Sequence, residues 1–115
     1  MAMLTLISLD CHGTEDLTPI PPFGYPSDMP YIRINGIEVW RGKLKSRTSA
    51  DLRGLPPFPF DARCQVTLME ADRPDPDDHL GTLYVWARPA GEMQQSPLNV
   101  QGSWWGYSLH FQVTV

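Results

Sequence analysis

The residues best suited to chemistry stand together. Glu70, Asp72, Asp75, Asp77 and Asp78 place five carboxylates in nine consecutive positions, out of thirteen Asp and Glu in the chain. Carboxylates this close repel one another, so the cost is offset by water, by a basic partner or by a hard cation. Pro74 and Pro76 stiffen the stretch and forbid a helix through it.

Two extended segments must hold this stretch. Cys64-Gln-Val-Thr-Leu68 alternates before it, and Leu80-Gly-Thr-Leu-Tyr-Val-Trp86 follows it, so an acidic loop between two strands is expected. Residues 3–9 read as a buried first strand, and a long connection over 12–29 carries four prolines together with Glu15, Asp16 and Asp28. Strands at 31–34 and 37–40 flank Asn35-Gly36, a pair that accepts positive φ at both positions of a type I′ turn. Lys43, Lys45 and Arg47 then alternate on one face of an expected strand, and the chain turns through 55–60. Residues 89–103 read as loop with a short strand over 98–100. In the last strand Tyr107, Leu109, Phe111, Val113 and Val115 share a face. Seven or eight short strands and no apolar stretch at helical spacing predict an all-β fold, an antiparallel β-sandwich forming one domain over residues 1–115.

Composition bounds the function. Hydrophobic residues make up 42%, which excludes a chain disordered by composition, and a net charge of −4 argues against nucleic acid as a partner. Cys11 and Cys64 form either one disulfide or two buried thiols, and the reading leans to thiols. No basic region precedes the first apolar run, which ends at Asp10, so neither a signal peptide nor a transmembrane segment is expected; a cytoplasmic form, a mature secreted form and an excised domain all fit. His12, His79 and His110 have no zinc-ligand spacing with the cysteines. The acidic stretch has no glycine at the sixth position of an EF-hand register. No serine or cysteine has a base near it in sequence, and the chain reads as a non-enzyme.

Three places resemble the C2 domains, β-sandwiches that commonly bind calcium through loops at one end. Glu70-x-Asp72-x-x-Asp75-x-x-Asp78-x-Leu80-Gly81 is similar, without a gap, to that family's third calcium loop, D-x-D-x-x-[S/D]-x-x-D-x-[I/L]-G. Ser27-Asp28-Met29-Pro30-Tyr31-Ile32 resembles the S-D-P-Y-V that ends the first calcium loop, with Met29 inserted, and Glu15-Asp16-Leu17 resembles the segment that opens it. The resemblance implies Ca2+ held by Glu70, Asp72, Asp75, Asp78 and Asp28. Glu70 stands where the family has Asp, and residues 21–26 lack the other first-loop carboxylate, so Asp16 or backbone carbonyls would substitute. Calcium's six to eight oxygen ligands suit such a set. The hairpin ending in Trp40 is also similar to bacterial C2-like modules with no assigned activity.

Further contacts follow from the same reading. Lys43, Lys45 and Arg47 are candidates for anionic lipid or a partner, set against a merely solvated strand face. Of Trp104 and Trp105 one is expected to be exposed, as is Phe23 or Tyr25, for a membrane or protein contact. The function expected is calcium-dependent attachment to an anionic membrane or a protein. The alternatives are a metal-independent interaction sandwich, which self-associates or docks into a larger assembly, and a carbohydrate-binding module using the four tryptophans.

Overall fold

The computed structural model describes residues 1–11, 27–45, 47–71, 76–87, 92–99 and 106–114, with backbone alone for 27, 28, 78, 92–99 and 106. Among the described residues there is no helix, and two main antiparallel sheets lie around one core. The strands are β1 (Ala2–Cys11), β2 (Ser27–Asp28), β3 (Pro30–Ile34), β4 (Ile37–Arg41), β5 (Leu44–Lys45), β6 (Thr48–Asp51), β7 (Phe58–Phe60), β8 (Arg63–Glu70), β9 (Asp78–Trp86), β10 (Glu92–Asn99) and β11 (Gly106–Thr114).

One sheet runs β4-β3-β8-β9 and the other β10-β11-β1-β6, with β7 also paired to β1. Period-two alternation sends one side of each strand inward. Ile32 and Ile34 from β3, and Cys64, Val66 and Leu68 from β8, meet Leu4, Leu9, Leu109 and Phe111 from the other sheet. Burying each such side chain contributes about 1.5–3 kcal/mol. In β1 the inward set changes phase after Leu6, and a register shift against β11 between Leu6 and Ser8 brings Leu9 and Cys11 back to the core.

The Asn35-Gly36 turn forms as expected, with φ of 50° and 83°. Three expectations need correction. Within the stretch read as loop with a short strand over 98–100, the described residues Glu92–Asn99 form one strand that pairs along its length with β11, and Pro97 is tolerated because β10 lies at the end of the sheet order. Residues 55–60 do more than turn, since Phe58–Phe60 adds to β1. The basic stretch is not a continuous strand. After β4 the Gly42 N–H donates to the Pro30 carbonyl (3.1 Å), β5 is only two residues long, and Arg47 sits at a φ of 63°. Gly42 itself is required, because the Trp40 indole lies where a Cβ would be, 2.4 Å from Cζ2.

Candidate functional site

The acidic stretch lies where three segments end together. β8 closes on Glu70 and β9 opens on Asp78, and these two residues are Cα partners. On the other side of β8, Glu70 pairs with Pro30, two residues after Asp28 in β2. The Ala71 N–H donates to the Met29 carbonyl (3.1 Å), which fastens the departing chain to the start of β3. Glu70 follows Cys64, Val66 and Leu68 in the inward alternation and is only 7% exposed. A carboxylate at this depth calls for hydrogen bonds or a cation to offset its desolvation.

The other expected ligands are distributed as follows. Asp28 and Asp78 are placed by their backbone at this end, while Asp16, Asp72 and Asp75 lie outside the described residues. Among the described residues, no group of three or more His, Cys, Asp or Glu side chains is arranged to hold a metal ion.

Asp77, absent from the expected ligand set, has a definite place. It accepts a hydrogen bond from the Tyr31 hydroxyl. Tyr31 is wholly buried yet does not belong to the core cluster; it stands on the outer face of the β4-β3-β8-β9 sheet. Its cover is charged: the Arg41 guanidinium lies 4.2 Å from the ring centroid and that of Arg33 5.2 Å. Arg41 is held in turn by Glu38 at 2.7 Å. Burial, followed by the bond to Asp77, raises the Tyr31 pKa above the ordinary phenol value, against the two arginines.

Lys43, Lys45 and Arg47 are exposed, but they share no strand face; the Arg47 N–H instead donates to the Cys11 carbonyl at 2.8 Å. Trp104, Trp105, Phe23 and Tyr25 lie outside the described residues. Exposed aromatics stand on β9: Tyr84, which the sequence reading did not single out, is 50% exposed, and Trp86, one of the four tryptophans considered for carbohydrate, is 52% exposed. Arg63 of β8 lies over both rings, at 5.0 and 5.5 Å. No ion pair joins Arg63 among the described residues.

Cys11 and Cys64 are buried thiols outside any disulfide, and burial pushes Cys64 up to about 11, so it is no thiolate nucleophile at neutral pH. A concavity of about 240 Å³ lined by Leu4, Leu6, Ile34, Val39, Leu55 and Phe58 with Pro56 and Pro57 offers no group for proton transfer. Among the described residues no helix is long and apolar enough to cross a membrane.

No protein-family model matches the sequence, and no curated protein does either. Solved structures do. The C2A domain of a plant extended synaptotagmin 1 superposes with a TM-score of 0.57 at 8% identity, covering 98% of this chain and 91% of that one. The structure of the C2A and C2B domains of extended synaptotagmin 2 gives 0.50 at 15% identity, over 98% of this chain and 40% of that one. Likeness at such identities carries the fold alone, and the fold of this chain is that of a C2-like β-sandwich.

Proposed function

We propose that the chain is a non-enzymatic, C2-like binding module that takes calcium at its acidic end and thereby attaches to an anionic membrane or a protein partner. The observation that carries this reading is the pairing of Glu70 with both Asp78 and Pro30, with the Glu70 carboxylate buried and the acidic stretch between the two strand ends. The donor set is all hard oxygen, with no thiolate or imidazole in it, which suits calcium rather than a transition metal. Asp28, Glu70, Asp72, Asp75 and Asp78 would hold the ion, with Asp16 as a supplement. Bound calcium would supply positive charge that offsets the clustered carboxylates and lets this end approach an anionic surface.

Calcium titrated into metal-stripped protein should give saturable heat and a rise in melting temperature. Mass action sets the stabilisation at about 2.7 kcal/mol when free calcium is a hundred times Kd. Co-sedimentation with anionic vesicles should require calcium and be lost in Asp72→Asn/Asp78→Asn. No heat and no shift up to millimolar calcium would remove the reading.

One observation favours a second, metal-independent reading, that of a protein-interaction sandwich. Arg63, Tyr84 and Trp86 form a half-exposed stack of residue types that dominate interface energetics. Self-association through it would make apparent size depend on concentration and leave it unchanged by a chelator.

A further inference from the structure

We infer that the open edge of β4 and the apolar concavity beside it form one docking site for a short, extended, acidic protein segment. The segment adds to the sheet as a strand, seats an apolar side chain in the concavity and carries its acidic residues towards the Arg41 end. The inference uses neither the acidic end nor the Arg63 stack. The concavity, of about 240 Å³, is walled from one sheet by Ile34 of β3 and Val39 of β4, and from the other by Leu4 and Leu6 of β1 with residues 55–58. It therefore lies at the side of the sandwich where β4 is outermost. Leu4, Leu6 and Ile34 form a buried floor, while Pro56 and Pro57 stand exposed at the rim. Ile37, on the same side of β4 as Val39 and 60% exposed, continues that apolar rim. A dry engineered cavity of about 150 Å³ lined by Leu, Ile and Phe takes up benzene, so this one has room for a leucine or phenylalanine side chain.

The strand edge decides the form of the occupant. Among the described residues β4 pairs only with β3, so the other side of its backbone has no ladder. In a two-residue hairpin the pair next to the turn, Ile34 and Ile37, exchanges both hydrogen bonds, and the next pair, Arg33 and Glu38, turns its backbone groups outward. The Glu38 N–H and carbonyl are thus aimed away from β3, directly before Val39 reaches the concavity. A strand bonded there sends its neighbouring side chains to the inner side, over the concavity. The register shift between Ile32 and Arg33 interrupts the edge and keeps the segment short. Charge selects its composition. Arg41, Lys43, Lys45 and Arg47 are exposed, and Glu38 is the one acid in residues 33–47 of a chain whose net charge is −4. That local excess of cations is complementary to acidic residues in the occupant. An acyl chain would fill the concavity but leave the β4 edge unpaired.

A displayed library of random short peptides, selected on the full chain, supplies the probe, and affinity is then read by fluorescence anisotropy. Recovered peptides should carry an apolar residue with Asp or Glu towards one end. Methylating each peptide amide nitrogen in turn should weaken binding about tenfold at alternate positions and little between them, because only one side of a strand faces β4. This readout needs no change to the protein. Glu38→Pro removes the outward N–H without touching the ladder to β3, and Val39→Phe fills the concavity; each should weaken binding about tenfold. Glu38→Ala, which keeps the N–H, should stay within about threefold of the parent protein, and melting temperatures show that each variant is folded. No enriched peptide, a methylation scan without alternation, or binding indifferent to Val39→Phe would each overturn the inference. Uptake of laurate or of anionic vesicles that is lost in Val39→Phe but kept in Glu38→Pro would make the concavity an acyl-chain site and overturn it too.

Discussion

The outer faces of the two sheets solve the same problem differently. Both are the solvent sides of strands whose other sides share one core. On the β10-β11-β1-β6 face carboxylates meet nitrogen groups directly: His110 Nε2 lies 2.8 Å from Asp10 Oδ2, and Arg53 Nη2 lies 2.9 Å from Asp51 Oδ2. Burial raises the Asp10 pKa, but hydrogen bonds from Ser49, His110 and Ser8 and the His110 charge outweigh it and leave the value lowered. Three hydrogen bonds from Arg53, two from its guanidinium and one from its backbone N–H, hold Asp51 at about 2. On the β4-β3-β8-β9 face the arginines lie over rings, Arg33 and Arg41 over Tyr31 and Arg63 over Tyr84 and Trp86. Arg41 also spends its N–H edge on the Glu38 carboxylate, whereas Arg33 and Arg63 stack on rings without an ion pair among the described residues.

The largest expected effect tests whether charged cover amounts to real burial. Tyr31→Ala should destabilise the fold by about 3 kcal/mol in urea unfolding, as deletion of a core aromatic does, whereas Tyr84→Ala on the same face should cost less than about 1 kcal/mol. Equal costs would mean that Arg33 and Arg41 collapse over the vacated site and that Tyr31 is no more integral than Tyr84.

The two faces should also lose stability at opposite ends of the pH scale. A lowered folded pKa means that Asp10 contributes fully above the ordinary carboxylate range, and that the contribution is lost as pH falls through the lowered value. Asp10→Asn should therefore cost about 1 kcal/mol near neutral pH, with the deficit shrinking in acid. For Tyr31 the sign reverses. Its raised value makes the contribution complete below the ordinary phenol value of about 10, and it is lost as pH rises through the folded value. Tyr31→Phe should flatten the alkaline limb of the stability curve and leave the acid limb alone.

The smallest effect sharpens the account of the stack. Arg63→Ala and Trp86→Ala should each cost little, with a coupling of about 0.5 kcal/mol in a double-mutant cycle, because both groups remain wet. No coupling would make the stack a chance alignment of exposed side chains.

Much of the framework was legible because local rules and tertiary structure agree. Asn35-Gly36 specified its turn through positive φ, and the alternation of Tyr107, Leu109, Phe111 and Val113 specified which side of β11 is buried. The clustered acids between two alternating segments placed the loop between β8 and β9. The misses arose where pairing overrode local signals. β10 contains Pro97 and little apolar alternation, and it is a strand because β11 offers an edge to pair with. The alternating Lys43, Lys45 and Arg47 suggested a strand face, but the Gly42 bond to Pro30 and the left-handed Arg47 break it.

The outer-face cluster around Tyr31 shows where such reading ends. A regular two-residue hairpin turning at Asn35-Gly36 would set Tyr31 opposite Trp40. A register shift between Ile32 and Arg33 moves Trp40 opposite Ile32, against the core, and brings Arg41 opposite Tyr31. The arginine cover of Tyr31 depends on that one-residue slip, and nothing in the local sequence marks it.

The sequence by itself determined an all-β chain, the hairpin turn and the position of an acidic loop, because periodicity, turn conformation and charge density are properties of neighbouring residues. Only the tertiary structure decided that Glu70 is buried between Pro30 and Asp78, that Asp77 rests on Tyr31, and that Arg63 lies over Tyr84 and Trp86. Those arrangements depend on which strands pair and in what register, and register is set by burying two sheets against each other across the whole chain.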